Sequence, residues 1–348
     1  MRSWCSWTCC GRISGRTTSR PRWATTRAGN AGSERALPDP GARWTDLGTR
    51  VVSALILAPA ALACLWFGGL AFQALVVLAA VGMAAEWVWM CGWPLRSAAG
   101  SVVGGGLVVA TLCAAAGRFG WGLAALAAAA LVMTGLVMTV LARRPGGPLP
   151  AFGGRGAVPV PVPVPPGERQ GQRQEQRQGR FPRALPFGLP YLGLAALALL
   201  WLRADPVAGR ANLLFLLLLI WASDIGAYVA GRLIGGPKLA PSISPGKTWS
   251  GAAGGLLAAV VVGLLCAFVL QTPVAPLRVA CLSGALGIIA QAGDLLESRL
   301  KRHFGVKDSG HLIPGHGGLL DRLDAVLAAA PVAAGLALAA GPGVVLWQ

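Results

Sequence analysis

Charge is scarce in this sequence, and negative charge is scarcest. Only 12% of the 348 residues are charged, about half the share a soluble domain carries. Thirteen are acidic, and the chain has only four lysines, three histidines and two tyrosines. The eight cysteines form no CxxC pair. Cys5, Cys9 and Cys10 lie near the N-terminus, and Cys64, Cys91, Cys113, Cys266 and Cys281 lie in or beside apolar runs. Cysteine in such runs acts as a small hydrophobe, so neither a disulfide framework nor a zinc ribbon is indicated.

What fills the chain instead is apolar sequence: 55% hydrophobic residues at a mean hydropathy of +0.61. The apolar residues come in runs of about 20, the length that crosses a bilayer. Nine such segments are expected, at 51–67, 70–90, 98–116, 119–141, 187–202, 211–231, 251–270, 277–296 and 325–347. The fold class is therefore an all-α polytopic membrane protein of about nine transmembrane helices. The net charge of +17 invites nucleic acid as a partner. The arginines, however, sit in tails and between apolar runs, and no nucleic-acid-binding motif accompanies them, so no nucleic acid is expected.

Four regions follow from the composition. Residues 1–48 form a basic tail without hydrophobic period or the apolar core of a signal peptide, and read as disordered. Residues 49–141 hold about four membrane helices. Residues 142–186 form a linker: the alternating prolines of VPVPVPVPP forbid a helix, and the Gln/Arg repeat after them cannot bury a core. Residues 187–348 hold about five more helices. With the N-terminus inside and nine crossings, 26 of the 30 Lys/Arg fall inside, leaving Arg118, Arg203, Arg210 and Arg278 outside. The positive-inside rule thus gives an N-in, C-out topology with a cytoplasmic linker.

The ionisable residues are concentrated. All four lysines and all three histidines lie in two inside segments, and six of the 13 acids lie from Asp224 onward. Topology control explains the lysines but not the acids beside them. In the first segment, Asp224 sits within an apolar helix with Tyr228 four residues on, and SISPGKTW supplies Ser242, Ser244, Lys247 and Thr248 in a Gly/Pro-rich turn. Backbone amides in such a turn can approach an anion. It is not a Walker A loop, since Pro241 stands where that motif needs glycine.

The second segment, GDLLESRLKRHFGVKDSGHLIPGHGGLLDRLD, covers 293–324. Asp294, Ser298 and Lys301 fall on one helical face. Glu297, Arg302, Lys307, Asp308, Asp321, Arg322 and Asp324 surround them, with a Pro/Gly break at 314–318. Carboxylates are hard oxygen ligands suited to Mg²⁺, which keeps several waters and bridges phosphates. Together with Lys/Arg and glycine turns they point to phosphoryl or nucleotidyl transfer. A salt-bridged loop between helices is the plainer alternative, and a zinc site at His316 a weaker one.

At these residues the chain resembles the phosphatidate cytidylyltransferase (CDP-diglyceride synthase) family. Residues 298–324 match its signature at Ser298, Lys301–Arg302, Lys307–Asp308, His316–Gly317–Gly318, Asp321–Arg322 and Asp324. The upstream D–AY–G, KLAP and SPxKTWxG elements are similar too, with departures at Gly246 and Ser250. The resemblance covers 187–345 closely and 49–141 mainly by hydropathy and the Glu86–Trp87 pair.

It implies an enzyme of phospholipid biosynthesis in the inner (plasma) membrane that joins CTP to phosphatidic acid and releases pyrophosphate. Its active site would open to cytoplasm and membrane lipid, and it would work as a homodimer. It further implies Mg²⁺, alone or with a second cation, held by Asp294 and Asp321 with Asp224 and Asp324 as further candidates. Lys301 and Arg302 would join the two aspartates as catalytic residues. Ser244, Lys247, Thr248, Ser298, Lys307, His316 and Arg322 would contact substrate. A transporter fits less well, because the N-terminal spans carry one acid, Glu86, and the polarity is all in the later ones. The DGxxAR…GxxxDxxxD pattern of CDP-alcohol phosphotransferases is absent, and a scaffold would not need clustered Asp, Lys and Ser.

The nine-span arrangement has a direct test. Reporter fusions at Gln174 and at the C-terminus should report opposite faces of the membrane, cytoplasmic for the linker. The same face for both would contradict an odd number of spans between them.

Overall fold

The computed structural model describes residues 56, 59–142, 181–310, 312–313 and 317–347, all within the unit Trp44–Gln348. The basic tail, nearly all of the Pro/Gln/Arg linker and His316 lie outside the described residues. Eight helices among the described residues are long and apolar enough to cross a membrane. They are α1 (Gly69–Met90), α2 (Ala98–Ala115), α3 (Phe119–Ala142), α4 (Leu185–Ala204), α5 (Gly209–Leu233), α6 (Trp249–Val269), α7 (Pro276–His303) and α8 (Leu320–Ala340). Of the first expected span, 59–67 are helical and the beginning lies outside the described residues.

Helix is what these sequences must form in hydrocarbon, where every backbone N–H needs a partner within its own segment. Their ends are set by ordinary chemistry. The Ser97 side chain caps α2 by accepting from Gly100 N at 3.2 Å, and the Thr248 side chain caps α6 by accepting from Gly251 N at 3.1 Å. Pro276 opens α7, where its missing N–H costs nothing.

Packing does not follow the division made by the linker. Helix α4 lies C-terminal to the linker yet packs against α1, α2 and α3 as well as α5 and α8. Helices α5, α6 and α7 pack on one another, and α8 touches α4, α5 and α7. Successive helices alternate in direction. The C-terminal ends of α1, α5 and α7 therefore share one end of the bundle with the N-terminal ends of α6 and α8.

Three details differ from the sequence expectation. First, an antiparallel ribbon of β1 (Lys238–Ala240) and β2 (Ser244–Thr248) follows α5, pairing Lys238 with Thr248 and Ala240 with Ser244. Strands this short show no alternation to read. Second, α7 runs on to His303, so residues 297–303 are helix rather than inter-helix loop. Third, the last helix spans Leu320–Ala340 rather than 325–347. Gly341-Pro342-Gly343 ends it, with Gly341 at φ 100° and Gly343 at φ 75°.

The apolar tail after that break turns back onto α5. Gly343 N donates to Asp205 Oδ2 at 2.6 Å, and Leu346 N donates to Asn212 Oδ1 at 2.7 Å. The Trp347 ring packs 4.5 Å from Phe215. Asp205 also accepts from Val207 N and Ala208 N, both at 2.8 Å, and so shapes the turn into α5. The amide donors, Gly343 foremost, hold its carboxyl below the usual carboxylate range. A depressed folded-state value stabilises above the unfolded pKa and is lost as pH falls through the folded one. Asp205→Asn should therefore lower the melting temperature in detergent at neutral pH. That deficit should begin to shrink as pH falls to about 3.9 and vanish below the depressed folded-state value, and a deficit independent of pH would overturn the assignment.

Candidate active site

Helices α5 and α6 approach closely enough for their backbones to touch. A Cβ on Gly226 would lie 2.5 Å from the Ala258 Cβ and 2.7 Å from the Gly254 carbonyl oxygen. Small residues permit this approach, as in other membrane helix pairs. It brings the polar end of α5 against the start of α6 and the ribbon that joins them. The ribbon is secured at its base, where the Ser250 hydroxyl donates to Gly235 O and Trp249 N donates to Pro237 O at 3.1 Å.

Between these elements, α7 and α8 lies a cavity of about 650 Å³, a size that suits a small-molecule site. Helix α5 presents Asp224, Tyr228, Gly231 and Arg232 to it, one helical face. Helix α6 adds Thr248, Gly251 and Ala252, and the ribbon adds Leu239, Gly246 and Lys247. Gln291, Asp294, Leu295 and Lys301 enter from α7, and Asp321, Arg322 and Asp324 from the first turns of α8. The N-terminus of α6 meets this space directly, a natural place for an anion.

Two lysines organise the acids. Lys247 Nζ lies 2.5 Å from Asp294 Oδ2 and ties the ribbon to α7. Lys301 Nζ reaches Asp321 Oδ1 at 2.7 Å and Glu297 Oε2 at 3.1 Å, joining α7 to α8. Glu297 is 2% exposed. The second Asp321 oxygen accepts from Ser309 N at 3.0 Å and Gly318 N at 3.1 Å. Asp224, Asp294 and Asp324 all line the cavity, near enough to act on one another, and of these three Asp294 is the one paired with Lys247. Such a group favours a further cation. Among the described residues no three acidic, Cys or His side chains form a ready-made metal cage.

The structure gathers Asp224, Asp294, Lys301, Asp321, Arg322, Asp324, Lys247 and Thr248 at this cavity. Of the other expected residues that the structure describes, none lines the cavity. Arg302 Nε donates to Ile243 O at 3.3 Å, bracing the turn of the ribbon rather than lining the cavity. Ser244 pairs across the ribbon with Ala240. Ser298 is half-buried on α7 and Lys307 exposed beyond it, and neither lines the cavity.

Sequence reasoning passed over Gln291 and Arg232. Gln291 Nε2 donates to Ser223 Oγ and to Ala252 O, both at 3.2 Å. Its amide, three residues before Asp294 on the same helix, was the available signal. Arg232 donates to the Tyr228 hydroxyl at 3.1 Å, one turn along α5.

The model of the cytidylyltransferase family matches residues 48–339. A phosphatidate cytidylyltransferase of Brucella suis biovar 1 (strain 1330) is 38% identical over 287 residues, 82% of this chain and 91% of that protein. Enzymes of the same name from Haemophilus influenzae and Bacillus subtilis are 44% and 40% identical over 155 and 141 residues. Those two alignments cover 43% and 40% of this chain, and 53% and 52% of the respective relatives.

The two lysines should differ in what their loss does to folding. The side chains of Lys301, Glu297 and Asp321 are 15%, 3% and 12% exposed, whereas those of Lys247 and Asp294 are 26% and 32% exposed. Lys301→Met keeps the apolar stem but strands two buried carboxylates, at a cost of about 3–5 kcal/mol. Lys247→Met should cost about 1 kcal/mol or less. Unfolding of the purified variants in detergent decides this, and equal losses would contradict the bridging role of Lys301.

Proposed function

The chain belongs to the cytidylyltransferase family and carries out CTP:phosphatidate cytidylyl transfer, and we propose that the cavity between α5, α6, α7 and α8 is where that transfer occurs. The observation that carries this reading is the meeting, in one space, of Lys247, Lys301 and Arg322 with Asp224, Asp294, Asp321 and Asp324. CTP and phosphatidate are both anions, and a site joining them must neutralise charge while fixing geometry.

In this reading the oxygen of the phosphatidate headgroup attacks the α-phosphorus of CTP. The new O–P bond forms as the bond to the bridging oxygen breaks, and pyrophosphate departs with its electron pair. The attacking phosphate is already ionised at neutral pH, so no side chain has to accept a proton. Lys247, the positive end of the α6 dipole and Arg322 bind and orient phosphate. Lys301, held between Glu297 and Asp321, keeps its ammonium at one fixed position at the cavity edge.

The acids fit a divalent cation. Mg²⁺ prefers oxygen ligands and keeps several waters, so one or two carboxylates and the substrate phosphates suffice, and no preformed cage is required. Asp294 and Asp321 would hold it, with Asp324 one turn beyond Asp321 and Asp224 opposite. When bound, the cation offsets charge on the triphosphate and the departing pyrophosphate. The proposed setting is the plasma membrane with the cavity toward the cytoplasm. The Lys/Arg-rich segments at the cavity end of the bundle support it, and the acyl tails of phosphatidate can stay in lipid.

The test is CTP-dependent formation of CDP-diacylglycerol by the purified protein in detergent with phosphatidic acid. Asp294→Asn should abolish turnover in well-folded protein. Lys247→Met should lower kcat/KM by about 2–4 kcal/mol in transition-state terms, roughly 30- to 1000-fold. Near-normal kinetics in both would move the chemistry away from this cavity.

A further inference from the structure

Glu86, on α1, is 4% exposed and does not line the cavity. It is the one acid in the described helices before the linker, and the chemistry above makes no use of it. A buried carboxylate is costly unless donors surround it, and three do. Leu319 N donates to Oε1 at 2.8 Å, and Leu320 N and the Ser309 hydroxyl donate to Oε2 at 2.9 and 3.0 Å.

Leu319 and Leu320 are the cap and first residue of α8, and that helix has no side-chain cap of its own. Glu86 therefore supplies, from a helix more than 230 residues earlier in sequence, the acceptor that α8 lacks. Its charge also faces the positive end of the α8 dipole.

The fit around it is close. A Cβ on Gly310 would lie 2.7 Å from Glu86 Oε1, and one on Gly318 would lie 2.9 Å from Oε2. One turn earlier on the same face of α1, a Cβ on Gly82 would lie 3.0 Å from Leu312 and 3.1 Å from Leu319 side-chain carbons. The same loop is held from its other side by Asp321, which accepts from Ser309 N and Gly318 N. Asp321, Arg322 and Asp324 enter the cavity within five residues of this cap.

We infer that Glu86 is a positioning residue for the transfer reaction: by capping α8 across the bundle it fixes where Asp321, Arg322 and Asp324 stand in the cavity. This rests on the cavity being the transfer site. Glutamine is the informative replacement. Its NH₂ group would face a backbone N–H or the Ser309 hydroxyl, and the charge opposite the helix dipole is lost.

The experiment compares full-length wild type, Glu86→Gln, Glu86→Asp and Ser309→Ala in detergent, with Asp294→Asn in parallel. Hydrogen exchange over residues 317–321 is read without added metal or substrate. Rates are then titrated with Mg²⁺ at saturating CTP and phosphatidate. Glu86→Gln should speed exchange at Leu319 and Leu320 and lower kcat by about ten-fold or more. It should also raise the Mg²⁺ concentration for half-maximal rate by about ten-fold, a shift that a smaller folded fraction would not produce. Ser309→Ala should move all three readouts the same way by less, and Glu86→Asp, which keeps the charge, should recover part of the loss.

Unchanged exchange, or wild-type kcat and Mg²⁺ dependence in folded Glu86→Gln, would overturn the inference. If Glu86→Gln does not fold, Ser309→Ala decides, and wild-type behaviour there overturns it equally. Full activity in Asp294→Asn would instead remove the site assignment, while the exchange data would still report whether Glu86 caps α8.

Discussion

Lys301 stands between Glu297 and Asp321 at a place where an apolar bundle has run out of solvent to stabilise charge. The ammonium lies 3.1 Å from one carboxylate and 2.7 Å from the other, and each of the three groups is tolerable there only because of the other two. Pairs of this kind add little net stability relative to an apolar core, but removing one partner is severe. Their effect is to register helices. Lys301 fixes the end of α7 against the start of α8, Lys247 fixes the ribbon against α7, and Glu86 fixes α8 against α1. The cavity is the space these three ties leave between them.

That arrangement sets the charge balance a substrate meets. Lys301 is shared by two acids and Lys247 is paired with Asp294, while Asp224 and Asp324 face the same cavity. A triphosphate entering this space would meet carboxylates as well as cations. In a setting of low dielectric such repulsion is strong. The proposed divalent cation resolves it by giving the acids and the phosphates a common counter-charge. The acids would thus serve the nucleotide through the metal, and the lysines would serve it both directly and by holding the acids in place.

Most of the helical framework was legible because span length and backbone satisfaction leave few choices in a membrane. The i, i+4, i+7 spacing of Asp294, Ser298 and Lys301 placed acid and lysine on one face, and both reach the cavity, although Ser298 does not line it. The ribbon was hidden by its brevity. Gly341-Pro342-Gly343 was overrun by the apolar residues on either side, although such a triplet ends a helix on backbone grounds alone. Arg302 was indistinguishable by sequence from its neighbour Lys301, since one residue of helix rotation separates a cavity-facing cation from one that braces the ribbon. Glu86 stood out as the lone acid of the early helices. Its partners, two backbone amides and a serine hydroxyl over 220 residues away, carry no mark in a sequence.

The alternation of helix direction connects the charge pattern to the chemistry. The α1–α2 turn with Arg96, the start of α4 after the linker, the ribbon and the α7–α8 loop all lie at the cavity end of the bundle. Arg118, Arg203, Arg210 and Arg278 lie toward the other end, where Arg203 is spent on carbonyl groups at the end of the helical segment 59–67, at 2.9 Å from Leu65 O. The excess of Lys/Arg that orients a membrane protein is therefore largest where anionic substrates would bind. Insertion and catalysis place the same demand on the sequence, positive charge at one end of the bundle. Among the described residues, the acids that temper this charge are Asp224, Asp294, Glu297, Asp321 and Asp324 on α5, α7 and α8, Asp308 in the α7–α8 loop, and Glu86, which holds α8 in place.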